Sequence, residues 1–150
     1  MKRLLNIRDA TKELNILRAL DTYKKPFSVV GSYRLIDDGL RPEATVIIRT
    51  EQAEMHEAST GVGPVDALAN VLEKSLGSIF PFIREVKLVD FASRISDRRS
   101  GTAARVEVSI VFTDGEETWS VAAVSANINM ASFAALVDGF EYAIHLRKSN

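Results

Sequence analysis

The sequence predicts an α+β fold in which an N-terminal helix precedes two βββα units that form an internal duplication. Three observations carry this. Apolar positions alternate with a period of two in segments that come in groups of three. Each group runs into a stretch with helical period. The order then returns after roughly 65 residues, with no linker or low-complexity segment between the copies. Antiparallel hairpins that lead into a helix pack as a sheet with the helix on one face.

The elements follow in order. Arg8 to Tyr23 places Ala10, Leu14, Leu17 and Leu20 on one helical face, and the helix is expected to end at the Lys24-Lys25-Pro26 break. Phe27 to Ile36 reads as one strand, closed by the turn Asp37-Asp38-Gly39. Glu43 to Thr50 is a second strand and Ala53 to Thr60 a weaker third. Gly61-Val62-Gly63-Pro64 then opens a helix to about Gly77, with proline just inside the start, where its missing N–H goes unneeded. In the second copy the strands are Val86 to Ser96, Ala103 to Thr113 and Trp119 to Val124. Asp114-Gly115 is a strong hairpin signal, and the last helix is expected from about Met130 to His145 with Asn129 as its cap.

Composition narrows the function. A chain of 150 residues is one ordinary domain by length, and it buries roughly 70% of the surface it exposes when unfolded. The absence of cysteine excludes disulfides, thiolate metal sites and cysteine nucleophiles. Nineteen basic against twenty acidic residues leave a net charge of −1, which offers phosphate backbones no general attraction, so no nucleic-acid partner is expected. No apolar run reaches the roughly 20 residues of a membrane helix, and no secretion core opens the chain. The cytoplasm is the expected compartment, with no membrane partner. His56 and His145 stand far apart without a ligand pattern, and no nucleophile has a base at a recognisable spacing. No catalytic residue, metal site or cofactor is expected. The chain reads as one that binds rather than transforms.

The most informative segment is Gly61-Val62-Gly63-Pro64-Val65-Asp66-Ala67-Leu68. Two glycines before a helix let a ligand approach the backbone, and the helix start offers N–H donors and partial positive charge. Asp66 in the first turn either caps the helix or accepts a hydrogen bond from a ligand ammonium. An amino acid carries both groups, so donors beside an acid suit its zwitterionic head. The plain reading is a tight turn with an acid near a helix start. Arg98-Arg99 reads as a solvated turn, Asp37-Asp38 as part of the turn at Gly39, and Trp119 and Phe112 as core.

At this point the sequence resembles the carboxy-terminal regulatory domain shared by 2-isopropylmalate synthases and (R)-citramalate synthases, the LeuA-type allosteric domain. The resemblance runs from about Tyr23 to Leu146 on ordered motifs: Lys25-Pro26-Phe27, Glu43-Ala44-Thr45-Val46, the segment Gly61 to Leu68, Leu88-Val89-Asp90-Phe91, Arg94-Ile95, Gly101-Thr102-Ala103-Ala104, and Asn127-Ile128 with Ala131-Ser132. The wording at Arg94-Ile95 and Gly101 to Ala104, with Trp119 and Glu141-Tyr142, leans to the citramalate branch. The resemblance implies a homodimer that binds leucine or isoleucine near the dimer interface and so inhibits acetyl-CoA condensation in a separate, metal-dependent TIM-barrel domain. It assigns effector binding to Gly63, Val65 and Asp66, to Leu88, Phe91 and Ile95, to Gly101 and Thr102, and to Val124 and Ala126. Similar domains often carry tyrosine where this chain has Phe91. No His-x-His pair occurs here, so the chain is expected to be non-catalytic by itself, either a portion of a synthase or a free-standing domain. Residues 1–24 are expected to act as helix and linker and 25–150 as the regulatory domain. A purely structural dimerisation module is the alternative.

Overall fold

The computed structural model describes residues 6–95 and 105–149. They fall into two compact units, one formed by residues 25–84 and the other by the described parts of 1–24 and 85–150. Each is a βββα unit, so the duplication holds.

In the unit of residues 25–84, the expected single strand from Phe27 to Ile36 is two short ones, β2 (Ser28–Val29) and β3 (Arg34–Ile36). The backbone turns left-handed at Gly31, with φ of 71°, and the extended run stops there. Both pieces pair antiparallel with β4 (Glu43–Arg49), Val29 opposite Ile48 and Leu35 opposite Ala44. The other side of β4 is taken along its whole length by β5 (Glu54–Thr60). Alternation sets the faces: Ala44, Val46 and Ile48 are buried while Glu43 and Arg49 are exposed. The helix α2 (Pro64–Ile79) packs on β4 and β5 and buries Ala67, Leu68, Val71, Leu72, Ser75 and Leu76, a stripe at helical spacing. Buried Ser75 is satisfied by donating to the Val71 carbonyl at 2.8 Å. The turn at Asp37-Asp38-Gly39 is as expected, with each carboxylate accepting a backbone N–H two residues on.

The second unit is a meander of β6 (Lys87–Ile95), β7 (Val106–Thr113) and β8 (Thr118–Ser125). Its β7–β8 hairpin is tied by Asp114 Oδ1, which accepts the N–H groups of Glu116 and Glu117 at 2.9 and 2.8 Å. A strand absent from the sequence reading extends this sheet. Ile7–Asp9 forms β1, parallel to β8, in the order β1-β8-β7-β6. A free sheet edge is a template for any extended segment delivered to it. The helix expected from Arg8 therefore begins later, as α1 (Ala10–Arg18), with Asp9 accepting the Lys12 N–H as its cap. It also ends sooner. Ala10 and Leu14 are buried, but Leu20 lies beyond the helix and is half exposed.

The long helix α3 (Ile128–Ser149) covers the sheet face that carries Val108, Ile110, Phe112 and Trp119. Its cap is Asn127, whose side chain accepts the Met130 N–H at 2.9 Å, and not Asn129. Trp119 and Phe112 are fully buried and stacked with centroids 6.0 Å apart, and Phe140 meets Phe112 edge-on at 5.7 Å. The Trp119 indole N–H donates to the Gly139 carbonyl at 3.0 Å. It is the packing on Phe112 that favours glycine there, because a Cβ at residue 139 would stand 2.1 Å from the Phe112 ring. On α3's other side lies Glu141, with no exposed surface, which accepts from Arg18 at 2.9 Å and from the Tyr23 hydroxyl at 2.6 Å. Arg18 also reaches Asp138 at 2.7 Å. Burial, then the bond to Glu141, pushes the Tyr23 hydroxyl far above the ordinary tyrosine value. Among the described residues no helix is long and apolar enough to cross a membrane.

Candidate functional site

The start of α2 is a closed piece of local geometry. Gly61 is buried, its N–H donates to the Pro42 carbonyl at 3.1 Å, and a Cβ there would lie 2.3 Å from the Ala67 nitrogen. Gly63, the residue taken from the motif for the site, has open space around it. So the glycine that this turn cannot replace is Gly61. Residue counting does not separate the two. Asp66 Oδ2 accepts the Val62 N–H at 2.9 Å and stands 3.5 Å from the Asn70 amide, which also donates to the Thr60 carbonyl at 3.0 Å. The acid thus ties the loop back onto the helix, the plainer of its two sequence readings. Its side chain remains exposed, and the N–H groups of Val65 and Asp66 have no intrahelical partner, as at any helix start.

In the other unit, β6 is an edge strand exposed along all nine residues. Counting by twos separates Leu88 from Phe91 and Ile95. A bulge reverses this. The register with β7 shifts between Leu88 and Asp90, so that Leu88 opposes Phe112, Phe91 opposes Ile110 and Ile95 opposes Val106. Directly opposed residues project from the same face. Leu88, Phe91 and Ile95 therefore share the α3-covered face of this sheet, yet remain 37%, 38% and 54% exposed at its rim. Val124 opposes Glu107 and projects from the other face, and Ala126 follows the end of β8. Gly101 and Thr102, like Arg98 and Arg99, lie outside the described residues. His56 is exposed on β5, and His145 packs near the rings of Tyr142 and Tyr23. Among the described residues no group of three acidic or histidine side chains is placed to hold a metal ion.

Fold and surfaces together define a duplicated βββα module, with a polar helix start in one unit and an exposed apolar strand in the other. Residues 10–144 match the LeuA allosteric (dimerisation) domain, and the chain belongs to that family. It is 41% identical over 143 residues to an (R)-citramalate synthase of Geobacter sulfurreducens, covering 91% of this chain and 27% of that protein. The (R)-citramalate synthase of Aquifex aeolicus is 38% identical over 142 residues, again 91% and 27% of the two chains. That of Synechocystis is 32% identical over 147 residues, 92% and 27%. The chain spans about a quarter of the length of these curated relatives.

Proposed function

We propose that this domain is the amino-acid-sensing, self-associating portion of an acetyl-CoA-dependent citramalate or 2-isopropylmalate synthase of the cytoplasm. It binds leucine or isoleucine and, through its pairing with a second copy, lowers the activity of a catalytic barrel elsewhere. The observation that carries this reading is the β6 bulge, which gathers Leu88, Phe91 and Ile95 into one exposed apolar row suited to a branched tail. Within the unit of residues 25–84, the start of α2 separately carries N–H donors that suit a carboxylate and the Asp66 carboxylate, which suits an ammonium. An effector that prefers one arrangement of the paired domains shifts its population, typically with about 1–3 kcal/mol of coupling.

Calorimetric titration of the chain with leucine, isoleucine and valine tests it. Saturable binding of one of them, at one per chain, is the expected result. An intact dimer that takes up none of the three at millimolar concentration would instead make it a structural dimerisation module. The engagement of Asp66 by Val62 and Asn70 favours that second reading.

A further inference from the structure

Resting on the self-association proposed above, we infer that two copies of this chain join β6 to β6 as antiparallel neighbours, with the two-fold axis at Ala92. The strand offers one side to β7, and among the described residues no strand pairs with its other edge, which is a template for another strand. Side chains on that edge are apolar enough to gain from cover: Val89 is 55% exposed, Phe91 38% and Ile95 54%. What selects the partner and the register is the placement of charge. Asp90 and Arg94 sit two residues either side of Ala92 and project from one face, since they oppose Val111 and Glu107 of β7.

A two-fold axis perpendicular to the sheet keeps each side chain on its own face, so only registers centred on a residue are allowed. Centring on Phe91 would put Asp90 opposite Ala92 and Arg94 opposite Leu88. Centring on Ser93 would put Arg94 opposite Ala92. Centring on Ala92 alone sets Asp90 of each copy against Arg94 of the other, twice, on either side of a small Ala–Ala contact. Arg94 already reaches Glu107 at 3.2 Å and has donors to spare for a second carboxylate. On the opposite face the same register places each Phe91 across from Ser93, whose small side chain leaves room for the ring. Its diagonal neighbours there are Phe91 and Ile95 of the other copy, within reach of an aromatic side chain. The pairing uses Asp90 to Arg94, the stretch beyond the bulge where the β7 register is regular. It makes one continuous eight-stranded sheet with both α3 helices on one face.

The chain's lack of cysteine allows a direct test. In the full chain, Ala92→Cys should oxidise to a disulfide-linked dimer, because directly opposed strand residues lie about 4.5–5.5 Å apart, inside the disulfide range. Ser93→Cys should not, since its own copy lies two residues along, beyond the roughly 7 Å a disulfide tolerates. Asp90→Arg and Arg94→Asp should each weaken dimerisation about tenfold by setting like charges opposite each other, and the double exchange should recover most of that loss. A disulfide from Ser93→Cys in place of Ala92→Cys overturns the register. A dimer by sedimentation that neither forms the Ala92→Cys disulfide nor responds to the charge exchanges overturns the edge pairing while leaving self-association standing. A monomeric unmodified chain overturns both.

Discussion

The structural role of Asp66 can be separated by substitution from the effector role proposed for it. Its Oδ2 holds the Val62 N–H, so Asp66→Ala should cost about 1 kcal/mol of stability, as for a lost helix-start acceptor. Asp66→Asn keeps an acceptor oxygen but removes the charge. Thermal denaturation should leave the asparagine variant near wild type, while calorimetry should show the proposed effector bound more weakly by both. Gly139→Ala sets two effects in opposition. Alanine gains up to about 1 kcal/mol of helix propensity over glycine. The added methyl must displace the Phe112 ring, fully buried between Trp119 and Phe140, and overpacking of this kind typically costs about 1–3 kcal/mol. The clash should win, giving a lower urea midpoint. Tyr23 gives a pH dependence with a definite sign. Its folded-state proton is held more tightly than in the unfolded chain, so its contribution is complete below the ordinary tyrosine value of about 10 and lost as pH rises past it. Tyr23→Phe should lower stability at neutral pH by roughly 1.5–3 kcal/mol, a hydrogen bond to a charged group, and flatten the alkaline fall in melting temperature.

Among the elements, those fixed by neighbouring residues were legible and those fixed by distant ones were not. Proline at the start of α2 and Asp114-Gly115 between β7 and β8 act within a few residues, and both elements stand where the pattern put them. β1 exists because β8 presents a free edge more than a hundred residues later, a relation that no local window contains. The split of the first strand at Gly31 hid inside a run whose alternation continued on both sides. The candidate site was half legible in the same way. Resemblance named Leu88, Phe91 and Ile95 together, but only the pairing with β7 shows why an odd spacing ends on one face. Deletion of Val89 tests that account. With that extra residue gone, Leu88 stands two positions before Phe91 and keeps the face it shares with Phe91 and Ile95, so the chain should fold and keep its effector affinity. Affinity lost by about an order of magnitude in that variant would mean that the bulge does not account for the shared face.

At the scale of the whole chain, the two βββα units differ in how they are finished. The unit of residues 25–84 keeps three columns of strand and one helix. The other gains β1 and α1, and ties them down through Arg18, Tyr23 and the buried Glu141. It also holds the only tryptophan, Trp119, sealed between sheet and helix with its indole N–H on Gly139. A single fluorophore in a dry, hydrogen-bonded niche emits to the blue and shifts red when water reaches it, so its spectrum is a gauge of one half of the molecule and blind to the other. Circular dichroism sees the helices of both. Followed together through a urea titration, coincident curves would mean the two repeats melt as a single cooperative body, and separated curves would mean each keeps its own threshold.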